Sequence, residues 1–167
     1  MILLSTAGND TTKQTTSHTL LALARHPEQR EWLMADIEGR IRIAIEEFVR
    51  YASPVMDFAR TAKTDTEIRG AQVKAGEKIA LFYCSGNRDE SVFDRPGDFN
   101  LARYPNPHVG FGGGGVHYCL GANVAKAQLR ALFAEILTRL PGLEVGEPEW
   151  LPSQFVHGIR RLPAHIP

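Results

Sequence analysis

Cysteine is scarce in this sequence: its 167 residues include two, Cys84 and Cys119, and no CxxC pair. That excludes a disulfide framework and a four-cysteine zinc site, so any cysteine chemistry rests on a single thiol. Net charge is missing as well. The 19 basic side chains balance 19 acidic ones, which leaves no electrostatic case for nucleic acid as a partner. No apolar run approaches the roughly 20 residues that span a bilayer. The opening MILLSTAG lacks the basic flank of a secretory signal, so a cytoplasmic location is expected. There is no internal repeat and no low-complexity tract. What is present, 43% hydrophobic, fits one globular domain.

Helical periodicity starts at once. From Met1 to Arg25 the apolar positions Leu3, Leu4, Ala7, Leu20, Leu21, Leu23 and Ala24 predict a helix with no capping residue ahead of it, as if entered midway. His26-Pro27 ends it and Pro27 suits the first position of the next, PEQREWLMADIE, which Gly39 is expected to break. A third helix, about Arg40 to Tyr51, stops before Ser53-Pro54. Between Val55 and Phe82, β-prone runs separated by Gly70 and Gly76 predict two or three hairpin strands. A long irregular crossing with a turn or two of helix follows to His108. The last helix spans Leu120 to Leu140, with Val124, Ala127, Leu132, Phe133, Ile136, Leu137 and Leu140 apolar, and Pro141-Gly142 ends it. The tail is expected to add a short hairpin or two. Cys84 reads as a small core residue.

The stretch FGGGGVHYCLG, Phe111 to Gly121, carries the chemistry. Gly110, Gly112 and Gly115 satisfy GxGxxG, but no strand precedes them and no acidic residue ends a following strand, so a dinucleotide cradle does not fit. An inert buried thiol is the ordinary reading of a lone cysteine. Cys119, however, stands at the mouth of a helix, where unpaired N–H groups and the positive dipole end favour a thiolate. The glycines ahead of it remove every side chain that would hold off a flat, bulky group. His108 and His117 complete no tetrahedral zinc pattern, whereas haem iron needs only one thiolate.

This stretch resembles the haem-binding signature of the cytochrome P-450 monooxygenases, which has a glycine four before the cysteine, a basic residue two before and a glycine two after. Gly115, His117 and Gly121 hold those places. Phe111 stands one position earlier than the usual aromatic residue, and Gly112 takes its place. Together with NPHVGFGG the stretch is similar to the actinobacterial branch that oxidises lipid and sterol side chains.

Other segments agree. In AGNDTT, Ala7, Gly8 and Thr11 share a helix face, and Thr11 can bond the carbonyl of residue 7; taken alone, this is an ordinary helix with a polar patch. The resemblance makes it the oxygen-binding stretch, with Asp10 and Thr11 as a catalytic acid–alcohol pair. Glu47 and Arg50, at i and i+3 on an unusually apolar helix, form an ion pair expected to be at least partly buried. The resemblance adds Arg103 as their structural partner. It also implies Arg60 and His117 at the haem propionates, and Val55, Met56, Phe58, Phe155 and Val156 along the substrate cavity.

The implied fold is mainly α with a small antiparallel β component, the C-terminal portion of the cytochrome P-450 fold over residues 1–167, with the N-terminal portion absent. The implied cofactor is haem b, iron protoporphyrin IX, with Cys119 on the metal and Phe111, Gly112, Gly115, Gly121, Ala7 and Gly8 against the macrocycle. Implied partners are O2, a small apolar substrate and a ferredoxin-type electron donor, since no flavin or iron–sulfur motif occurs here; no membrane span is expected. The alternative is a non-catalytic truncated remnant or interaction fragment that keeps the signature. The missing contacts are expected to leave a broad apolar surface exposed, with self-association or poor folding as the result.

Overall fold

The computed structural model of the chain describes residues 2–167, with side chains from residue 5 onward. Met1 and the side chains of Leu3 and Leu4, part of the expected apolar stripe, lie outside the described residues. Helix α1 (Ile2–Arg25) ends where Pro27 opens α2 (Pro27–Met34), as a residue without an N–H can do only in a first turn. The side of α1 that faces the protein is polar in its middle, with Gln14, Thr15, His18 and Thr19 buried ahead of Leu21, Ala22 and Leu23.

Helix α3 (Ile37–Ala52) begins earlier than expected and contains Gly39. The break falls instead at Asp36, whose carboxylate caps α3 by accepting the Gly39 N–H at 3.0 Å. A Cβ on residue 39 would strike that carboxylate, so the glycine makes room for a cap and does not end a helix. At the other end Ser53 takes the left-handed conformation (φ 41°) and its N–H bonds the Val49 carbonyl.

Four strands follow where two or three were expected. β1 (Asp57–Thr61) pairs antiparallel with β4 (Lys78–Phe82), and between them β2 (Thr66–Ile68) pairs with β3 (Ala71–Val73) across the Arg69-Gly70 turn, both residues at positive φ. One helical turn, α4 (Tyr83–Gly86), opens the irregular crossing, and Cys84 on it is half-buried, short of the core position expected. Helix α5 (Ala122–Arg139) buries Leu129, Phe133 and Leu137 at i, i+4, i+8, while Val124 and Leu132, read as part of its apolar face, are exposed. The tail forms two antiparallel pairs, β5 (Glu144–Val145) with β8 (Ala164–His165) and β6 (Glu149–Leu151) with β7 (Gly158–Arg161).

The core lies between α3 and α5, where the Phe48 and Phe133 rings meet at 4.8 Å, with Leu33, Ile41, Leu101 and Leu129 around them. Polar pins attach the tail. The Ile159 N–H donates to Gln14 Oε1 at 2.7 Å, His18 Nε2 donates to the His157 carbonyl at 3.0 Å, and His157 Nδ1 donates to the Ala52 carbonyl at 2.7 Å. The polar middle of α1 therefore replaces hydrophobic contact with directed hydrogen bonds.

Candidate functional site

The glycine loop is built by its backbone. A turn closes from Gly112 N–H to the Val109 carbonyl (2.8 Å), and Gly112, Gly114 and Gly115 all hold positive φ, between 74° and 98°. L side chains are strained there, and the space beside residues 113–115 is open. One 3-10 turn, Gly115–His117, brings the chain to Cys119, whose N–H donates to the Phe111 carbonyl at 2.9 Å. Cys119 is exposed, three residues ahead of α5, and the N-cap of that helix is Gly121, which has no side chain to cap it. The positive end of α5 thus stays available to a sulfur anion.

Beside the loop is a cavity of about 570 Å³, lined by Arg60, Leu81, Phe82, Gly112–Gly115, Val116 and His117. Phe82 and Val116 expose 59% and 97% of their surface, which is unusual for such side chains. Another cavity, about 330 Å³ between α1, α2 and α5, contains no thiol and is remote from this loop. A bare glycine wall, exposed apolar side chains, two basic donors and an exposed thiol fit a flat, largely apolar macrocycle with acidic edge groups and a thiolate-ligated iron.

Around the start of β1 the five expected substrate residues come together. Val55 bridges Val156, the Met56 N–H bonds the Phe155 carbonyl at 2.9 Å, and the Phe58 and Phe155 rings meet edge-on at 5.2 Å. Arg60 links this cluster to the cavity, its guanidinium 5.9 Å from the Phe58 ring centroid.

On α1 the Thr11 hydroxyl donates to the Ala7 carbonyl at 2.7 Å, the bond its spacing predicts, and Ala7 and Gly8 are exposed. Asp10 lies 3.8 Å from Lys13. None of Ala7, Gly8, Asp10, Thr11, Cys119 or Gly121 is among the residues lining the cavity, whereas Arg60, His117, Gly112 and Gly115 meet there.

Glu47 and Arg50 are wholly buried. Glu47 accepts from Arg50 Nε and Nη2 (2.7 and 2.8 Å), Arg103 Nε (3.2 Å), Asn106 Nδ2 (3.0 Å) and the Asn100 N–H (2.9 Å). Arg50 and Arg103 spend their remaining donors on carbonyls of residues 87–98, which fixes the irregular crossing to α3. Asn87, Asn100 and Asn106 carry no signal of their roles in the sequence, because their contacts are distant along the chain. The same is true of Glu46, Lys126 and His108: His108 and Lys126 flank the Phe111 ring, and Glu46 bonds His108 at 3.0 Å and Lys126 at 2.7 Å. Burial pushes the Glu46 carboxyl upward, but its bonds from His108 and Lys126 outweigh that and hold it below the usual range.

Residues 1–142 match the family model described as cytochrome P450. The chain is 52% identical over 163 residues to the methyl-branched lipid omega-hydroxylase of Mycobacterium tuberculosis, covering 97% of this chain and 38% of that protein. It is 43% identical over 161 residues to the steroid C26-monooxygenase of Mycolicibacterium smegmatis, covering 96% and 37%. Among solved structures, a Mycobacterium marinum cytochrome P450 in complex with pseudoionone superimposes with a TM-score of 0.96 at 56% identity, over 98% of this chain and 39% of that one. The chain thus spans about two fifths of the length of the relatives it matches, and its mainly helical fold with small antiparallel sheets is part of theirs.

Proposed function

The chain belongs to the cytochrome P450 family, and from that premise we propose that residues 1–167 form the C-terminal, haem-binding portion of a monooxygenase. Its reaction places one atom of O2 in an apolar, lipid- or sterol-like substrate and releases the other as water, using two electrons from a ferredoxin-type donor in the cytoplasm and two protons from solvent. The observation that carries this reading is the exposed Cys119 next to a glycine-walled cavity edged by Arg60 and His117.

Haem b, when bound, supplies the activation of O2. Cys119, exposed ahead of α5, would be its iron ligand. Gly112, Gly115 and Gly121 keep the backbone bare, Phe111 backs the loop, and Arg60 and His117 donate to the carboxylates at the macrocycle edge. Ala7 and Gly8 would offer the group a helix surface without bulk. Thr11 holds a proton at Oγ1 and Asp10 replenishes it. Val55, Met56, Phe58, Phe155 and Val156 receive the substrate, while Glu47, Arg50 and Arg103 hold the scaffold.

Haem titration of the purified chain tests this reading. Stoichiometric uptake is expected, with a strongly red-shifted Soret band in the reduced carbon monoxide complex that Cys119→Ala abolishes; an ordinary band indifferent to that substitution defeats it. A second reading, a non-catalytic chain that keeps the signature, is favoured by one observation: among the described residues, none of α1 lines the cavity. Haem uptake without oxidation of a branched fatty acid or sterol, given a ferredoxin and its reductase, would select it.

A further inference from the structure

Three elements converge behind the backbone of the cysteine loop. On α3, Val49 lies so close to Gly110 that a Cβ there would sit 2.6 Å from Val49 Cγ1, so the loop rests directly on that helix. From the loop, His108 is almost fully buried, with 4% of its side chain exposed, and both ring nitrogens are used. Nδ1 accepts the Gly110 N–H at 3.1 Å, so Nε2 carries the hydrogen and donates it to Glu46 on α3 at 3.0 Å. From α5, Lys126 reaches the other oxygen of Glu46 at 2.7 Å. The same ammonium stands 5.2 Å from the Phe111 ring centroid, and the His108 ring is 5.8 Å from it. Phe111 is therefore gripped through its ring, while its carbonyl accepts the Cys119 N–H at 2.9 Å.

We propose that Glu46, His108 and Lys126 form a clamp that positions Cys119, acting through Phe111 and its carbonyl. As a statement about the iron ligand it rests on the haem reading above; as a statement about the loop it stands alone. Residues 108–114 have no strand or helix to fix them, and glycines leave the loop free to shift. Charge-assisted bonds are about twice as strong as neutral ones, and here they join two helices across the loop. None of the three touches the cavity, so they are positioning residues.

Two variants test the clamp, Lys126→Met and Glu46→Gln, chosen because both side chains are about one-third exposed and lie outside the buried core. In the haem-free chain, amide hydrogen exchange at Cys119 is expected to accelerate about tenfold in Lys126→Met and less in Glu46→Gln, with core amides of α3 and α5 unchanged. Lys126→Arg, which keeps charge and ring contact, is expected to stay within about twofold of the wild type. In the haem-loaded chain the red-shifted fraction of the reduced carbon monoxide complex is expected to fall at least about twofold in Lys126→Met and to recover in Lys126→Arg. Unchanged Cys119 exchange overturns the clamp, as does uniform acceleration along the chain; faster exchange with an unaltered spectrum overturns its positioning of the ligand. If the wild type takes up no haem, the haem reading falls while the exchange result still decides the loop.

Discussion

At Glu47 a single buried carboxylate faces two guanidinium groups, Arg50 at 2.7 Å and Arg103 at 3.2 Å. Such a cluster adds little to stability compared with apolar packing, but removing one charge strands the others out of water. Glu47→Gln keeps the shape and loses the charge, so a loss of about 3–5 kcal/mol is expected in urea unfolding; an effect below about 1 kcal/mol would mean the site is wetter than its burial implies. His18 gives the opposite case, a buried imidazole that must stay neutral. Burial first, and then the neighbouring His157, lowers its pKa from 6.5 to about 4, with Arg88 adding to the shift and the His157 carbonyl opposing it. The unfolded chain therefore binds a proton that the folded chain refuses. Stability from neutral His18 is complete above pH 6.5 and is lost progressively down to about pH 4. The loss is up to about 3 kcal/mol. Urea midpoints between pH 7 and 4 should fall more steeply for the wild type than for His18→Gln, whose amide can still reach the His157 carbonyl; parallel curves would refute this.

Individual elements show where local sequence is sufficient and where it misleads. Pro27 marks the α1/α2 boundary because proline's constraint is purely local, and Ser53-Pro54 marks the end of α3 for the same reason. Gly39 misleads because its role is set by Asp36, a cap whose carboxylate needs the missing Cβ. The outward turn of Val124 and Leu132 was equally illegible, since apolar character alone does not tell which face of α5 meets Phe48. Ser53 is the sharpest case of two local rules in conflict. Its left-handed φ of 41° favours glycine by about 1 kcal/mol. Its hydroxyl, however, donates to the Arg50 carbonyl at 2.7 Å and accepts from the buried Asn87 amide at 2.9 Å. Leaving that amide unpaired costs about 1–3 kcal/mol, so Ser53→Gly is expected to lower stability by about 1 kcal/mol net, measured by thermal or urea unfolding. A stabilised variant would show that backbone strain outweighs the Asn87 bond.

Across the whole molecule, the cysteine signature was legible because it is contiguous, Phe111 to Gly121, whereas its supports come from α3, α4 and α5 and become visible only when the chain folds. Exposed apolar side chains occur at several places among the described residues, two of them near the cysteine loop. Phe82 and Val116 border the glycine-walled cavity, while Leu120 just ahead of α5 and Val124 and Leu132 on it are exposed as well. Three side chains of about 2 kcal/mol each barely exceed the cost of association, at least about 4 kcal/mol. Self-association through this surface should therefore be weak, the dimer remaining a minor species in sedimentation even at about 1 mM. Val124→Lys with Leu132→Lys is expected to abolish it and leave haem uptake unchanged, because neither residue lines the cavity. Haem loading of the wild type should instead reduce hydrophobic-dye binding at Phe82 and Val116 and leave the sedimentation unchanged. If haem alone dissociates the oligomer, the associating surface is the cavity mouth and the α5 residues are uninvolved.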